Sequence, residues 1–370
     1  MFVRGGFDVP FLAVTIIILT IGLIMLFSAS YAYAYQKYKG DSFHFIKRQL
    51  IFAVLGIIAM FIVSKIDYHI YKKYAWLLYG VTYPLLLAVF FLPQPIAGFH
   101  RWFVLGPINF QPSDVAKFTV VVMLAKLISE NMDKMKTFKF GVLTCGAVFA
   151  GFCALIIAGN HLSATLLIAA IGATMMFVGG TKPKWFVMIA VAGVVLILAV
   201  YFIPGFLDHS KERLVAWLDK EYDPTDTRWQ INNALYAIGS GGLFGTGLGN
   251  SKQKFLYVSE PQNDFIFSIV CEELGFIGAT IIICLFIFLI WRGFQISVKA
   301  PDKFGSLLVV GIIAQIGLQV FLNIAVITEV IPNTGISFPF FSYGGTALMM
   351  QLFEIGVVLS VSRQSNIKKV

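Results

Sequence analysis

Between residues 10 and 31 the chain carries no charged side chain at all, and uncharged apolar runs of similar length recur along most of its 370 residues. Crossing roughly 30 Å of hydrocarbon takes about 20 apolar residues as helix. Backbone N–H and C=O groups find no water inside a bilayer, so only helices or closed barrels span it. These runs are continuous, without the alternation of a barrel strand, and they therefore point to helices. With 58% of residues hydrophobic and 13% charged, a water-soluble domain is excluded. The expected fold is an all-α polytopic integral membrane protein. About ten transmembrane helices are expected, over 10–31, 46–64, 75–92, 113–129, 139–158, 162–179, 185–204, 263–290, 305–330 and 341–361, within a single membrane domain covering 1–370.

An even number of spans puts both termini on one side. With that side cytoplasmic, the inner loops collect basic residues, among them Lys65, Lys72, Lys73, Lys134, Lys136, Lys139, Lys182, Lys184, Arg363, Lys368 and Lys369. Their acids are few: Asp8, Asp67, Glu130, Asp133 and Asp302. This is the positive-inside pattern, so the net charge of +9 reports orientation and not nucleic-acid binding. The first apolar run lacks a small-residue cleavage site and reads as a retained span. Cys145, Cys153, Cys271 and Cys284 fall inside predicted spans without metal-ligand spacing, which reads as inert packing.

The polar chemistry is expected on the outer side. Residues 205–262 form a large extracytoplasmic loop between spans seven and eight, longer than an ordinary connection. Within it, Trp229 to Ile238 has amphipathic helical spacing and runs into a glycine-rich stretch, GSGGLFGTGLG at 239–249. Such a stretch either makes a sharp surface turn or brings backbone N–H groups close to a phosphate. A second segment, 98–114, has the aromatic, amphipathic character of a stretch lying in the membrane interface, with Arg101 able to meet anionic headgroups. Pro112 and Ser113 suit a helix start, and Asp114 with Lys117 at i, i+3 can pair on one face.

Span nine carries Gln315, Gln319 and Asn323 on one face, either as interhelical glue or as the lining of a substrate groove. The packing reading also covers Glu329 and Glu354. Asp264 stands at the mouth of span eight. It reads either as an N-cap of that helix or as a catalytic base, because an ionisable group at such a place is costly. Glu272 and Glu273, deeper in that span, read as helix-packing partners.

Four long motifs then carry a resemblance over nearly the whole length: HRWFVLGPINFQPSDVAK at 100–117, GSGGLFGTGLGNSKQK at 239–254, SEPQNDFIFSIVCEELGFIGA at 259–279 and IPNTGISFPFFSYGGTAL at 331–348. In these the chain resembles the SEDS family (shape, elongation, division and sporulation), and it is most similar to the FtsW and SpoVE branch. The resemblance implies a peptidoglycan glycosyltransferase that polymerises lipid II at the outer face of the bacterial cytoplasmic membrane, serving division, elongation or sporulation. It puts Asp264 at the catalytic position. The implied substrate-contact set is Arg101, Asp114, Lys117, Gln230, Gly242, Gly245, Lys252, Lys254, Gln319, Asn323 and Ser342, with no metal ligand.

The chain departs from the family pattern in having Asp114 where glutamate is commoner, His161 where many relatives carry a proline–aspartate pair, and Glu329 at a usually small or apolar position. No cofactor is required by the sequence, although Mg²⁺ or Mn²⁺ could serve the diphosphate. The implied partners are a class B penicillin-binding protein and other divisome, elongasome or sporulation proteins. The rival expectations are a flippase for the lipid-linked precursor and a non-catalytic scaffold.

Overall fold

The computed structural model describes residues 6–92, 101–105, 108–188, 208–219 and 227–367. In chain order its longer elements are α1 (Val9–Lys37), α2 (His44–Val63), α3 (His69–Lys73), α4 (Ala75–Ala88), a hairpin of β1 (Phe103–Leu105) and β2 (Ile108–Phe110), α5 (Pro112–Glu130), α6 (Cys145–Ala158) and α7 (Leu162–Val178). They continue with α8 (Asp208–Leu218), α9 (Thr227–Ser240), α10 (Ile266–Val298), α11 (Lys303–Ile327) and α12 (Gly345–Ile367). Nine of the expected spans coincide with described helices. The span at 185–204 lies outside the described residues beyond 188.

Among the described residues six helices are long and apolar enough to cross a membrane, and Ala75–Phe91 and Leu162–Val178 are shorter apolar ones. The protein is a multi-pass membrane protein. α5 departs from the rest in composition, since it holds Asp114, Lys117, Lys126 and Glu130. These charges lie toward its two ends, where Asp114 pairs with Lys117 and Glu130 with Lys72, while every residue from Val120 to Ala125 between them is fully buried. α1 continues well past residue 31, and α12 begins four residues later than the sequence suggested because Phe340, at φ +63°, and its neighbours form a turn first.

The described ends of the chain meet at one end of the bundle, where the Asp8 N–H donates to Ser362 Oγ at 2.9 Å and Arg292 Nε pairs with Asp8 at 2.9 Å. At the other end α1, α6 and α11 finish, and α2, α5, α7, α10 and α12 begin. That end holds the main cavity.

α10 is broken at Gly275, whose φ of +67° and ψ of −173° lie in a region essentially restricted to glycine. The break leaves helical N–H and C=O groups without their usual partners, and the glycine-rich loop supplies replacements. Thr246 N and Gly247 N donate to the carbonyls of Glu272 and Glu273, while Phe276 N and Ile277 N donate to those of Gly242 and Leu243, all within 2.9–3.1 Å. A Cβ on Gly241 or Gly245 would stand 2.1 or 2.2 Å from an α10 carbonyl oxygen, so only glycine permits this approach.

Candidate active site

The cavity encloses about 390 Å³ and is lined by the β-hairpin, the starts of α5, α7 and α12, Gln319 of α11, and the segments 260–264 and 335–348. Asp264 lies in its wall two residues before α10. The N-cap position is Phe265, without a side-chain cap, so Asp264 is not the helix cap that its sequence position allowed. Its peptide is instead held from α11: Asn323 Nδ2 donates to the Asp264 carbonyl at 2.7 Å and to that of Ile336 at 2.6 Å.

Burial raises the pKa of the Asp264 carboxyl above its ordinary value. The charges of Arg213 and Arg101 oppose the rise, and Glu260 adds to it. A cap would have held it low; the carboxyl is therefore a stronger base than that reading implied. Around it, Arg213 donates to the carbonyl of Asn333 at 3.5 Å, and Arg101 to that of Asn160. Burial and the neighbouring Arg213 bring the Arg101 guanidinium down to about 10. His161 also lines the cavity, beside Gln111, and burial with the charges of Arg101 and Lys117 holds it far below its ordinary pKa, as a neutral imidazole. Asp114 and Lys117 pair at 2.7 Å, both buried, and both face the cavity. The i, i+3 spacing brought them together as expected.

The sequence expectations divide here. Arg101, Asp114, Lys117, Asp264, Gln319 and Ser342 line the cavity together, and Asn323 braces it from behind. The amide stripe is thus shared between roles, since Gln315 donates to Glu354 at 2.8 Å as interhelical glue. Gln230, Gly242, Gly245, Lys252 and Lys254 are not among the lining residues. Gln230 donates to the Ser259 carbonyl at 3.0 Å, and Gly242 and Gly245 serve the break in α10. The Lys252 side chain is exposed, while its backbone N–H donates to Glu272 at 2.8 Å.

Lys254 is fully buried, 2.7 Å from Glu273 and 4.8 Å from the centre of the Tyr31 ring. The loop turns toward α10 and α1: Thr246 N, Gly247 N and Lys252 N donate into α10, and Lys254 Nζ reaches Glu273 and Ser28. Glu272 and Glu273 are accordingly more than helix-packing partners, for they fasten the loop through Ser251, Lys252 and Lys254.

Sequence reasoning missed Arg213 and Glu260. Arg213 sits in the charged run DHSKERLVAWL at 208–218, and no local signal shows that α8 turns it toward Asp264. Glu329 pairs with Arg228, and its carbonyl accepts from Trp217 Nε1 at 3.0 Å, so it ties α8 and α9 to the end of α11. Among the described residues no group of three His, Cys, Asp or Glu gathers in a way that could hold a metal ion, and the four cysteines are free.

A family model described as cell cycle protein, covering FtsW, RodA and SpoVE, matches residues 9–367. The chain is 41% identical over 366 residues to stage V sporulation protein E of Bacillus subtilis, covering 97% of each. It is 37% identical over 359 residues to a probable peptidoglycan glycosyltransferase FtsW of a Geobacter species, covering 96% of this chain and 97% of the relative. Among solved structures it resembles a chain of a peptidoglycan synthase complex, with TM-score 0.80 at 24% identity over 97% of this chain and 98% of that one. It also resembles the rod shape determining protein RodA of Thermus thermophilus, with TM-score 0.70 at 25% identity over 97% of each.

Proposed function

The chain belongs to the FtsW, RodA and SpoVE family of cell cycle proteins, and from that premise we propose that it is a peptidoglycan glycosyltransferase that polymerises lipid II, with Asp264 as general base. The observation that carries the reading is a half-buried carboxylate of raised basicity in the wall of a cavity of about 390 Å³, on which the charges of Arg213 and Arg101 act.

A sugar hydroxyl is a poor nucleophile while it keeps its proton. As the GlcNAc 4-oxygen of one chain attacks C1 of the MurNAc of another, its proton passes to the Asp264 carboxylate, a role worth roughly 10²- to 10⁴-fold. The C1–O bond to the diphosphate breaks, and its electron pair leaves with undecaprenyl diphosphate, which needs no acid. One base and a good leaving group suit a single displacement with inversion, taking an α-linked donor to a β-1,4 product. Arg101, Arg213 and Lys117 are the groups assigned to the departing charge. Asp264 works only when ionised, and two nearby arginines favour that form against burial.

The cavity faces the outer side of the cytoplasmic membrane in this reading, with both termini inside, and a class B penicillin-binding protein is the partner that would cross-link the product. Purified protein given lipid II is expected to make glycan polymer, and Asp264→Asn to abolish it with folding intact. Undiminished polymer from that variant would remove Asp264 from the mechanism. Lipid movement across vesicles without polymer would favour the flippase reading, and partner binding alone the scaffold.

A further inference from the structure

Glu329 stands just past the end of α11 in a left-handed conformation, with φ +60°. Its own N–H closes the helix on the Val326 carbonyl at 3.0 Å, and that of Val330 on Ala325 at 2.9 Å. Glycine is the usual residue at such a helix end, because an L-residue crowds its Cβ there. The carboxylate found in its place reaches across to the outer helices. It pairs with Arg228 of α9, which is 4% exposed and also donates to the Ala216 carbonyl of α8 at 3.4 Å.

From Glu329 the chain runs along α8 toward the wall that holds Asp264. Trp217 Nε1 donates to the Glu329 carbonyl at 3.0 Å, and one turn back along α8 Arg213 Nη1 donates to that of Asn333 at 3.5 Å. Asn333 Oδ1 accepts from Gly335 N at 3.1 Å. The place that a Cβ would take on Gly335 lies 3.0 Å from Asp264 Oδ2 and 3.5 Å from Arg213 Nη1, so guanidinium and carboxylate converge there. The segment is itself anchored to the bundle, since Asn323 of α11 holds the Ile336 carbonyl at 2.6 Å and Ser163 of α7 holds that of Thr334.

We propose that Glu329 is a positioning residue: through Arg228 and Trp217 it holds α8 along the 329–335 segment, and so holds the Arg213 guanidinium beside the Asp264 carboxylate. The inference rests on the glycosyltransferase reading above. Arg228 is a cation sealed from water. Without the Glu329 carboxylate it must seek solvent or another acceptor, and α8, which it grips at Ala216, moves with it. The charges acting on Asp264 are those of Arg213 from α8, Arg101 ahead of β1 and Glu260 from its own loop, while Asp114, Lys117 and His161 line the same cavity. Of the two arginines, Arg213 is the one that α8 carries.

The test is the pH dependence of kcat/KM for lipid II polymerisation by the full-length protein. Glu329→Gln is expected to move the acidic limb about 0.5 pH unit upward, a roughly threefold loss on that limb, because a retreating Arg213 lets the Asp264 pKa rise. Direct loss of an acid's charge would move the limb downward, so the sign separates the two routes. Trp217→Phe deletes the indole N–H, keeps the buried ion pair, and should move the limb in the same direction by less. In an Arg213→Gln background, Glu329→Gln should add nothing. A limb that stays in place while thermal stability falls, a move to lower pH, or an equal added shift in the Arg213→Gln background overturns the assignment. Infrared titration of the Asp264 carboxyl, identified by its absence in Asp264→Asn, reads the same shift without turnover. An unsubstituted protein that makes no polymer therefore overturns the glycosyltransferase reading alone, and the carboxyl titration decides the role of Glu329.

Discussion

Gly335 gives a sharp test of how tightly the Asp264 carboxylate is confined. Its φ is +71°, and a Cβ added there would stand 3.0 Å from Asp264 Oδ2, 3.5 Å from Arg213 Nη1 and 3.7 Å from Ser163 Oγ. Gly335→Ala therefore has two consequences. A left-handed backbone costs an L-residue about 1–2 kcal/mol in stability. Separately, the carboxylate must withdraw by a few tenths of an ångström or rotate.

A misplacement of about 1 Å can cost a catalyst on the order of 10²-fold, so a displacement of roughly half that size is worth about tenfold in kcat, or about 1.4 kcal/mol of barrier. Gly242→Ala supplies the control, since Gly242 has φ +54° with nothing within 4 Å of its added Cβ. Both variants are expected to melt earlier by similar amounts in detergent. Only Gly335→Ala should lose about tenfold in the rate of polymer formation from lipid II, measured at saturating substrate. Equal rates for the two glycine variants would refute the claim that the carboxylate is held against Gly335.

Other outcomes follow from the same geometry. Lys254→Met leaves the Glu273 carboxylate buried without its cation and should cost about 3–5 kcal/mol, whereas Lys252→Met, at an exposed side chain, should stay within about 0.5 kcal/mol by thermal unfolding. Equal losses would mean that the buried pair is not what fastens the loop. In the pH–rate profile, activity disappears as pH falls through the raised pKa of Asp264. Arg213 lowers that pKa, so Arg213→Gln should move the acidic limb of kcat/KM to higher pH. A move to lower pH would contradict the assignment of Asp264 as the base.

Much of the site was legible because its signals are local. The Asp114–Lys117 pair follows from i, i+3 spacing on one helix, and the cavity-facing Gln319 from a repeat on one face of α11. The glycine-rich loop was legible only in part. Its composition announced a close backbone approach, and the surface approached is a break in α10 at Gly275, some thirty residues onward. Lys252 and Lys254 are alike in composition and two residues apart, yet one is exposed and the other sealed against Glu273 and Ser28. Arg213 offered no signal, because a guanidinium in a polar amphipathic helix reads as solvated until the packing of that helix is known.

By itself, then, the sequence determined that this is a bundle of membrane-crossing helices with an ionisable residue at the mouth of one of them. Transfer into hydrocarbon depends on the composition of each twenty-residue stretch, which is a local property. Apart from the local Asp114–Lys117 pair, tertiary structure alone decided which charges neutralise one another and which face the cavity. Those pairings join residues such as Asp8 and Arg292, or Arg228 and Glu329, that are far apart in the chain, and their energies depend on burial and on a few ångströms of separation that no local pattern encodes.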